Sequence, residues 1–168
     1  TFLEEHCLKK HRIRFLVDFE NLKNERFAQL GITVKKIDQK NGDKISEKLN
    51  LDLFNRNWSS KKTYFREATG FAAFVGSKPI AACYSAAVMG KMHEIDVVTD
   101  SAYQRRGIGK IVAARFVEEC EKKSLIPSWD CLQENLGSIN LARSVGFSKR
   151  ETEYNFYFYK RGLSIPTA

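Results

Sequence analysis

Two acids and two glycines, Glu94, Asp96, Gly107 and Gly109, hold the most readable chemistry in this chain of 168 residues. Glu94 and Asp96 are two positions apart, as are Ile95 and Val97, so in a strand the acids share one face and the apolar pair the other. Paired carboxylates on one face can take a proton from a reacting group or hold a cation. The run Gln104-Arg105-Arg106-Gly107-Ile108-Gly109 follows at once. After it, Ala113, Phe116, Val117 and Cys120 fall at helical spacing, with Glu118, Glu119, Glu121 and Lys122 largely elsewhere. Strand, glycine turn and helix start together make an anion site. The first helical N–H groups lack intrahelical acceptors, and the helix dipole favours negative charge there. Glycine lets the backbone approach a phosphate where a Cβ would obstruct it. The run has neither the three glycines of a dinucleotide fingerprint nor the Gly-Lys-Ser/Thr ending of a P-loop. Read alone, it is either a phosphate cradle or a tight strand-to-helix connection.

The surrounding residues are more specific. Gln104-Arg105-Arg106-Gly107-Ile108-Gly109 resembles the Gln/Arg-x-x-Gly-x-Gly/Ala signature of the GNAT superfamily of N-acetyltransferases, and Tyr103 precedes it as in that family. Asn135, Ser138, Leu141, Ala142, Gly146 and Phe147 resemble the family's second motif in the expected order. Pro127-Ser128-Trp129-Asp130-Cys131, with Glu94-Ile95 and Trp58-Ser59, resembles the branch typified by zwittermicin A resistance proteins. The resemblance covers residues 32 to 159.

The resemblance implies an α+β fold of three layers. A mixed, mostly antiparallel sheet would be flanked by helices, with central strands splayed around acetyl-CoA. Backbone N–H groups of Gln104, Arg105, Arg106, Gly107, Ile108, Gly109 and Lys110 would cradle the pyrophosphate, with Arg105 and Arg106 adding charge. Backbone groups of Val97, Val98 and Thr99 would meet the pantetheine arm, one of them holding the developing oxyanion. Asn135 and Ser138 match positions that touch the same arm; Asn135 also reads as a plain helix N-cap. The implied reaction moves an acetyl group from acetyl-CoA to a primary amine of a small molecule or peptide, by direct attack in a ternary complex. Glu94 and Asp96 are the first candidates for general base, with Asp130 and His93 behind them. The position at which many family members carry a Tyr acid is Ala142, which leaves Tyr154 or water for that role. The alternative is a catalytically silent CoA-binding regulatory or interaction module.

Composition narrows the rest. Hydrophobic content of 43% and charged content of 29% suit one globular domain, residues 1–168, with 1–31 as an N-terminal extension or the remnant of a longer N-terminal part and 32–160 as the core. No stretch is apolar enough to span a membrane, and no signal peptide opens the chain, so a cytoplasmic location is expected. Cys7, Cys83, Cys120 and Cys131 are scattered and read as reduced thiols. His6, Cys7 and His11 make a poor zinc set, and no metal is expected. The net charge of +8 comes from dispersed runs, such as Lys9-Lys10-His11-Arg12-Ile13-Arg14 and Lys35-Lys36, which read as solvated faces rather than a nucleic-acid stripe. The expected partners are acetyl-CoA and an amine acceptor, on a monomer or homodimer.

The elements expected to position these residues run in order. Phe2–Lys10 looks helical at its edges, and Ile13–Phe19 alternates as a strand. A short helix covers Glu25–Leu30, and a strand covers Ile32–Ile37. The chain turns at Asn41–Asp43. Helical spacing covers Ile45–Arg56, and Ser59 or Ser60 caps a helix to Ala68. Strands Phe71–Val75 and Ile80–Val88 form a hairpin ahead of the Glu94 strand. Beyond the glycine helix come a strand Ser128–Leu132, a helix Asn135–Val145, a strand Tyr154–Tyr159 and a loose tail from Leu163. The helices before the hairpin would wall the acceptor site, with Trp58, Tyr64 and Phe65 either lining it or packing the core.

Overall fold

The computed structural model describes residues 7–19, 31–54 and 57–159. Seven strands form one sheet: β1 (Cys7–Leu16), β2 (Ile32–Lys36), β3 (Gly70–Val75), β4 (Lys78–Met89), β5 (Met92–Thr99), β6 (Ile126–Leu132) and β7 (Lys149–Tyr159). Their spatial order is β2-β3-β4-β5-β6-β1-β7. All neighbouring pairs are antiparallel except β5 with β6. Helices α1 (Gly42–Lys48) and α2 (Lys61–Glu67) precede β3, α3 (Ile108–Lys122) follows β5, and α4 (Leu136–Ser144) follows β6.

Alternation sorts the side chains into two apolar clusters. On one face Ile13, Phe15, Ala81, Cys83, Ile95 and Trp129 pack with Val112, Phe116 and Val117 of α3 and Ile139 and Ala142 of α4. On the other face Ala72, Phe74, Ala82 and Tyr84 pack with Ile45 of α1, Leu49, Leu53, Phe54 and Tyr64 of α2. Full burial of one such large side chain is worth about 1.5–3 kcal/mol, so each face holds its helices firmly. The layers are helix, sheet, helix, as the family resemblance implies.

The N-terminal reading needs correction. Cys7–Lys10, expected as helix, is strand, and β1 sits inside the sheet, antiparallel to both β6 and β7. Part of the segment set apart as an extension is therefore a sheet strand. Its alternation of Ile13 and Phe15 with Arg12 and Arg14 is the strand signal. That signal was read from Ile13 onward; the stretch before it was missed, because its charged run gives no alternation and its arginine finds a counter-charge only on β6, far away in sequence. Phe2–His6, the helix expected over Glu25–Leu30 and the tail from Leu163 lie outside the described residues.

The helix expected over Ile45–Arg56 is shorter and starts earlier. The Asn41–Asp43 turn is its first turn, anchored by Asp38 Oδ1, which accepts from the N–H groups of Lys40 and Asn41. It ends at Leu49, where Asn50 takes a left-handed φ of 51°. Of the two serines read as the cap of α2, Ser60 is the one that serves, its hydroxyl accepting the Thr63 N–H at 3.1 Å. Tyr64 lies at the centre of an aromatic group, with the Phe54, Trp58 and Phe65 rings 5.1–5.3 Å away.

Candidate active site

An opening lies where β5 and β6 part. The two strands pair from Met92 with Ile126 to Ile95 with Trp129 and no further, while β5 stays paired to β4 as far as Thr99. A parallel pair that separates midway leaves backbone groups on its inner edge unpaired. Parity tells which ones. The Asp100 N–H donates to Ile80 O on the β4 side, so the backbones of Val98 and Asp96 also face β4, and those of Val97 and Thr99 face the opening. Thr99 O accepts from Gln104 Nε2 at 3.2 Å, and the Val97 N–H donates to Asp96 Oδ1 at 2.9 Å. Of the three strand residues expected to present backbone there, Val97 and Thr99 do so. Val98 turns its backbone to β4 and its side chain onto the α1/α2 cluster.

The opening is a cleft of about 550 Å³. It brings together Asp96, Val97, Thr99, Gln104, Arg105, Asp130, Asn135 and Ser138 from the sequence-predicted set, and adds Arg12. At its α4 wall, Asn135 Oδ1 accepts the Ser138 N–H at 3.0 Å, the N-cap contact, and Ser138 Oγ accepts from Trp129 Nε1 at 2.9 Å.

The glycine turn fits a phosphate. Gly107 is the N-cap of α3 with φ 75°, a left-handed conformation that a Cβ disfavours, and no atom lies within 4 Å of where that Cβ would stand. The space is open. The first intrahelical bond runs from the Ile111 N–H to Gly107 O, so the preceding N–H groups have no acceptor within the helix. The first turn of α3 carries no acid that would compete with an anion. Gly109 serves differently: a Cβ there would stand 3.3 Å from Thr99 Oγ1 and 3.5 Å from Leu141 Cδ2. Its absence lets α3 start hard against β5 and α4. Arg106 lies over the Tyr103 ring at 5.6 Å, while the Ile108 side chain is buried in the core below. The residues present therefore suit a pyrophosphate at the turn and an extended arm along β5.

Glu94, Asp96 and Asp130 share the sheet face that carries α1 and α2, opposite Ile95, Val97 and Trp129, but their surroundings differ. Asp96 Oδ2 accepts from Tyr84 Oη at 3.2 Å beside Trp58 and Leu53. Asp130 is almost fully buried, with 1% of its side chain exposed. Arg12 Nε and Tyr154 Oη each donate to one of its oxygens, and Arg14 Nε stands 3.5 Å away. Burial works to lower the Arg12 pKa, but the Asp130 hydrogen bond and charge outweigh it and hold the guanidinium above its ordinary range. Burial, then the Asp130 hydrogen bond and charge, raise the Tyr154 hydroxyl, which keeps its proton. Glu94 is half-buried and makes no ion pair or side-chain hydrogen bond among the described residues.

His93 is placed elsewhere. It is buried on the opposite side chain parity, with Nδ1 2.9 Å from Ser85 Oγ. That hydroxyl already donates to Thr69 O at 3.1 Å and accepts the Thr69 N–H at 3.0 Å, so it takes a proton from Nδ1. Burial, then Lys123, lowers the His93 pKa and keeps the ring neutral. Arg12, Arg14, Tyr84 and Ser128 were not anticipated at the site. The alternation Arg12-Ile13-Arg14-Phe15 was the available signal for the first two, and Ser128 stood inside a motif without a role.

Residues 2–157 match the sequence-family model described as GNAT acetyltransferase. The chain belongs to the GNAT acetyltransferase family. Among its GNAT relatives, the chain is 30% identical over 158 residues to a Bacillus subtilis protein named uncharacterized N-acetyltransferase YdfB, matching 93% of this chain and 59% of that one. It is 24% identical over 104 residues to the ribosomal protein bS18-alanine N-acetyltransferase of Escherichia coli, 60% of this chain and 70% of that one. The solved structure of a GCN5-related N-acetyltransferase-like protein from Streptococcus suis superposes with a TM-score of 0.73 at 20% identity, covering 90% of this chain and 63% of that chain. The chain thus spans about three-fifths of the length of YdfB and of the Streptococcus suis protein.

Proposed function

We propose that this GNAT domain transfers an acetyl group from acetyl-CoA to a primary amine by direct attack in a ternary complex. The parting of β5 from β6 in front of a left-handed Gly107 carries the reading. It joins an unpaired strand edge to an anion-binding helix start. Acetyl-CoA, when bound, supplies an acyl group activated as a thioester. N–H groups from Arg105 to Lys110 hold its phosphates, Val97 and Thr99 pair with its arm, and Asn135 and Ser138 flank that arm. The Val97 N–H, engaged by Asp96 Oδ1 here, is the donor for the charge that develops on the acyl oxygen.

The amine binds on the α1/α2 face. Glu94 is the base in this reading, because its oxygens are uncommitted among the described residues, whereas Asp130 is held by Arg12 and Tyr154 and Asp96 by Tyr84 and Val97. As the C–N bond forms, the amine proton passes to Glu94, and the electron pair of the breaking C–S bond leaves on sulfur. The resemblance of Trp58-Ser59 and Pro127–Cys131 to the zwittermicin A resistance branch favours a small amine. The name of the Escherichia coli relative favours a peptide amine.

The test is the pH–rate profile of Glu94→Gln. An ammonium must lose a proton before it can attack, and a positioned base contributes about 100-fold or more. Turnover should fall about 100-fold at neutral pH and recover as pH approaches the amine's own pKa. A profile that overlays the wild type removes Glu94 from this role.

A further inference from the structure

Of three buried side-chain polar atoms without a hydrogen bond among the described residues, two, Ser128 Oγ and Arg14 Nε, belong to diagonal positions on the neighbouring strands β6 and β1. Ser128 is 1% exposed and faces Glu94 across the β5–β6 pairing. Two residues on, Asp130 faces Arg14 across β6 and β1. Arg14 lies over the Tyr154 ring, its guanidinium carbon 5.5 Å from the ring centroid. Its Nε stands 3.5 Å from Asp130 Oδ2, an ion pair without a hydrogen bond, while Arg12 and Tyr154 donate to Oδ1 and Oδ2.

The local charge is therefore unbalanced. Two guanidinium groups share one carboxylate, and the less engaged of the two lies one diagonal position across β1 and β6 from the orphaned Ser128 hydroxyl. A buried hydroxyl and a buried N–H without partners cost free energy unless a ligand supplies the acceptor. A planar, stacked guanidinium is matched to a carboxylate. On the other side of Ser128 is the uncommitted Glu94. Strand spacing and rise put the Cα atoms of Glu94 and Arg14 about 12 Å apart, a gap that their side chains and a compact zwitterion bridge.

We propose that the acceptor carries a carboxylate held by Arg14 and Ser128 while Glu94 holds the amine, which makes it a free amino acid or a close analogue. This rests on the acetyltransferase reading above and specifies its substrate class. Arg14 and Ser128 bind; they take no part in the bond changes.

The experiment presents acetyl-CoA with free amino acids, each matched to its primary amide, and with putrescine and spermidine, following thiol release and the mass of the acetylated product. The amide keeps shape and amine but loses the charge. Its amine is also the less basic, which biases the comparison against the expected result. For at least one pair, kcat/KM should favour the acid by about 30-fold, the worth of a charge-assisted contact. Arg14→Gln should bring that ratio close to one, Arg14→Lys should leave an intermediate ratio, and Ser128→Ala should lower it without lowering Tm. Amides acetylated as well as acids, polyamines acetylated while amino acids are not, or a ratio unmoved by Arg14→Gln in a protein that melts normally would each overturn the inference and leave the acetyltransferase reading standing. Tight acetyl-CoA binding with no amine of any class acetylated would overturn both.

Discussion

Replacing Gly107 by Asp and, separately, by Asn isolates what the glycine turn does. The φ of 75° penalises any L residue by about 1–2 kcal/mol, with Asp and Asn at the lower end because they tolerate the left-handed region. Nothing within 4 Å meets the new Cβ, so no steric cost is added. Both variants should fold, with Tm lower by about 3 °C. They differ in charge alone. A unit charge about 4 Å from a phosphate oxygen is opposed by about 1 kcal/mol in water and about 4 kcal/mol in a typical surface environment. Gly107 is exposed, which places the repulsion near 2 kcal/mol, or about 30-fold in Kd. Calorimetric titration with acetyl-CoA should therefore show Gly107→Asp binding about 30-fold more weakly than Gly107→Asn. The gap should narrow in high salt, where surface charges are screened. Equal affinity of the two variants at low salt would refute the phosphate assignment and reduce the turn to a strand-to-helix connection.

Tyr154→Phe removes a donor from a carboxylate that is 1% exposed, and should cost about 2 kcal/mol in denaturant unfolding. The Tyr154 pKa is raised on folding, so this contribution is present below the ordinary tyrosine range and lost above it. The stability gap between wild type and variant should close above about pH 10, and a gap that widens there would contradict the sign. Gly109→Ala should leave Tm nearly unchanged, because better helix propensity offsets the 3.3 Å contact with Thr99 Oγ1. It should weaken acetyl-CoA binding by shifting the start of α3; unaltered affinity would show that the close approach is irrelevant to the cofactor.

Local signals in the sequence reached the glycine turn, the alternation of Glu94 to Val97, the Ser60 cap and the helix α3, because each is written within one or two turns of chain. The run from β3 to β5 was legible for the same reason, its strands being joined by short turns. The place of β1 was not. Its pairing with β6 links residues such as Arg14 and Asp130, and no local pattern encodes a register over that separation. Reading Lys9–Arg14 as a solvated face followed from missing the partner, as did leaving the Arg12–Asp130–Tyr154 contacts unread. Val98 shows a finer limit. Alternation assigns its side chain to a face, but the direction of its N–H depends on which neighbour β5 keeps along its length, and that is a property of the sheet.

The most direct measurement is an amide chemical-shift titration of the labelled chain with acetyl-CoA. The account predicts the largest shifts at Val97, Thr99 and the amides from Arg105 to Lys110, with Val98 and its β4 partner Ala82 little changed. Saturable binding whose shifts leave Val97, Thr99 and the glycine turn untouched would contradict it.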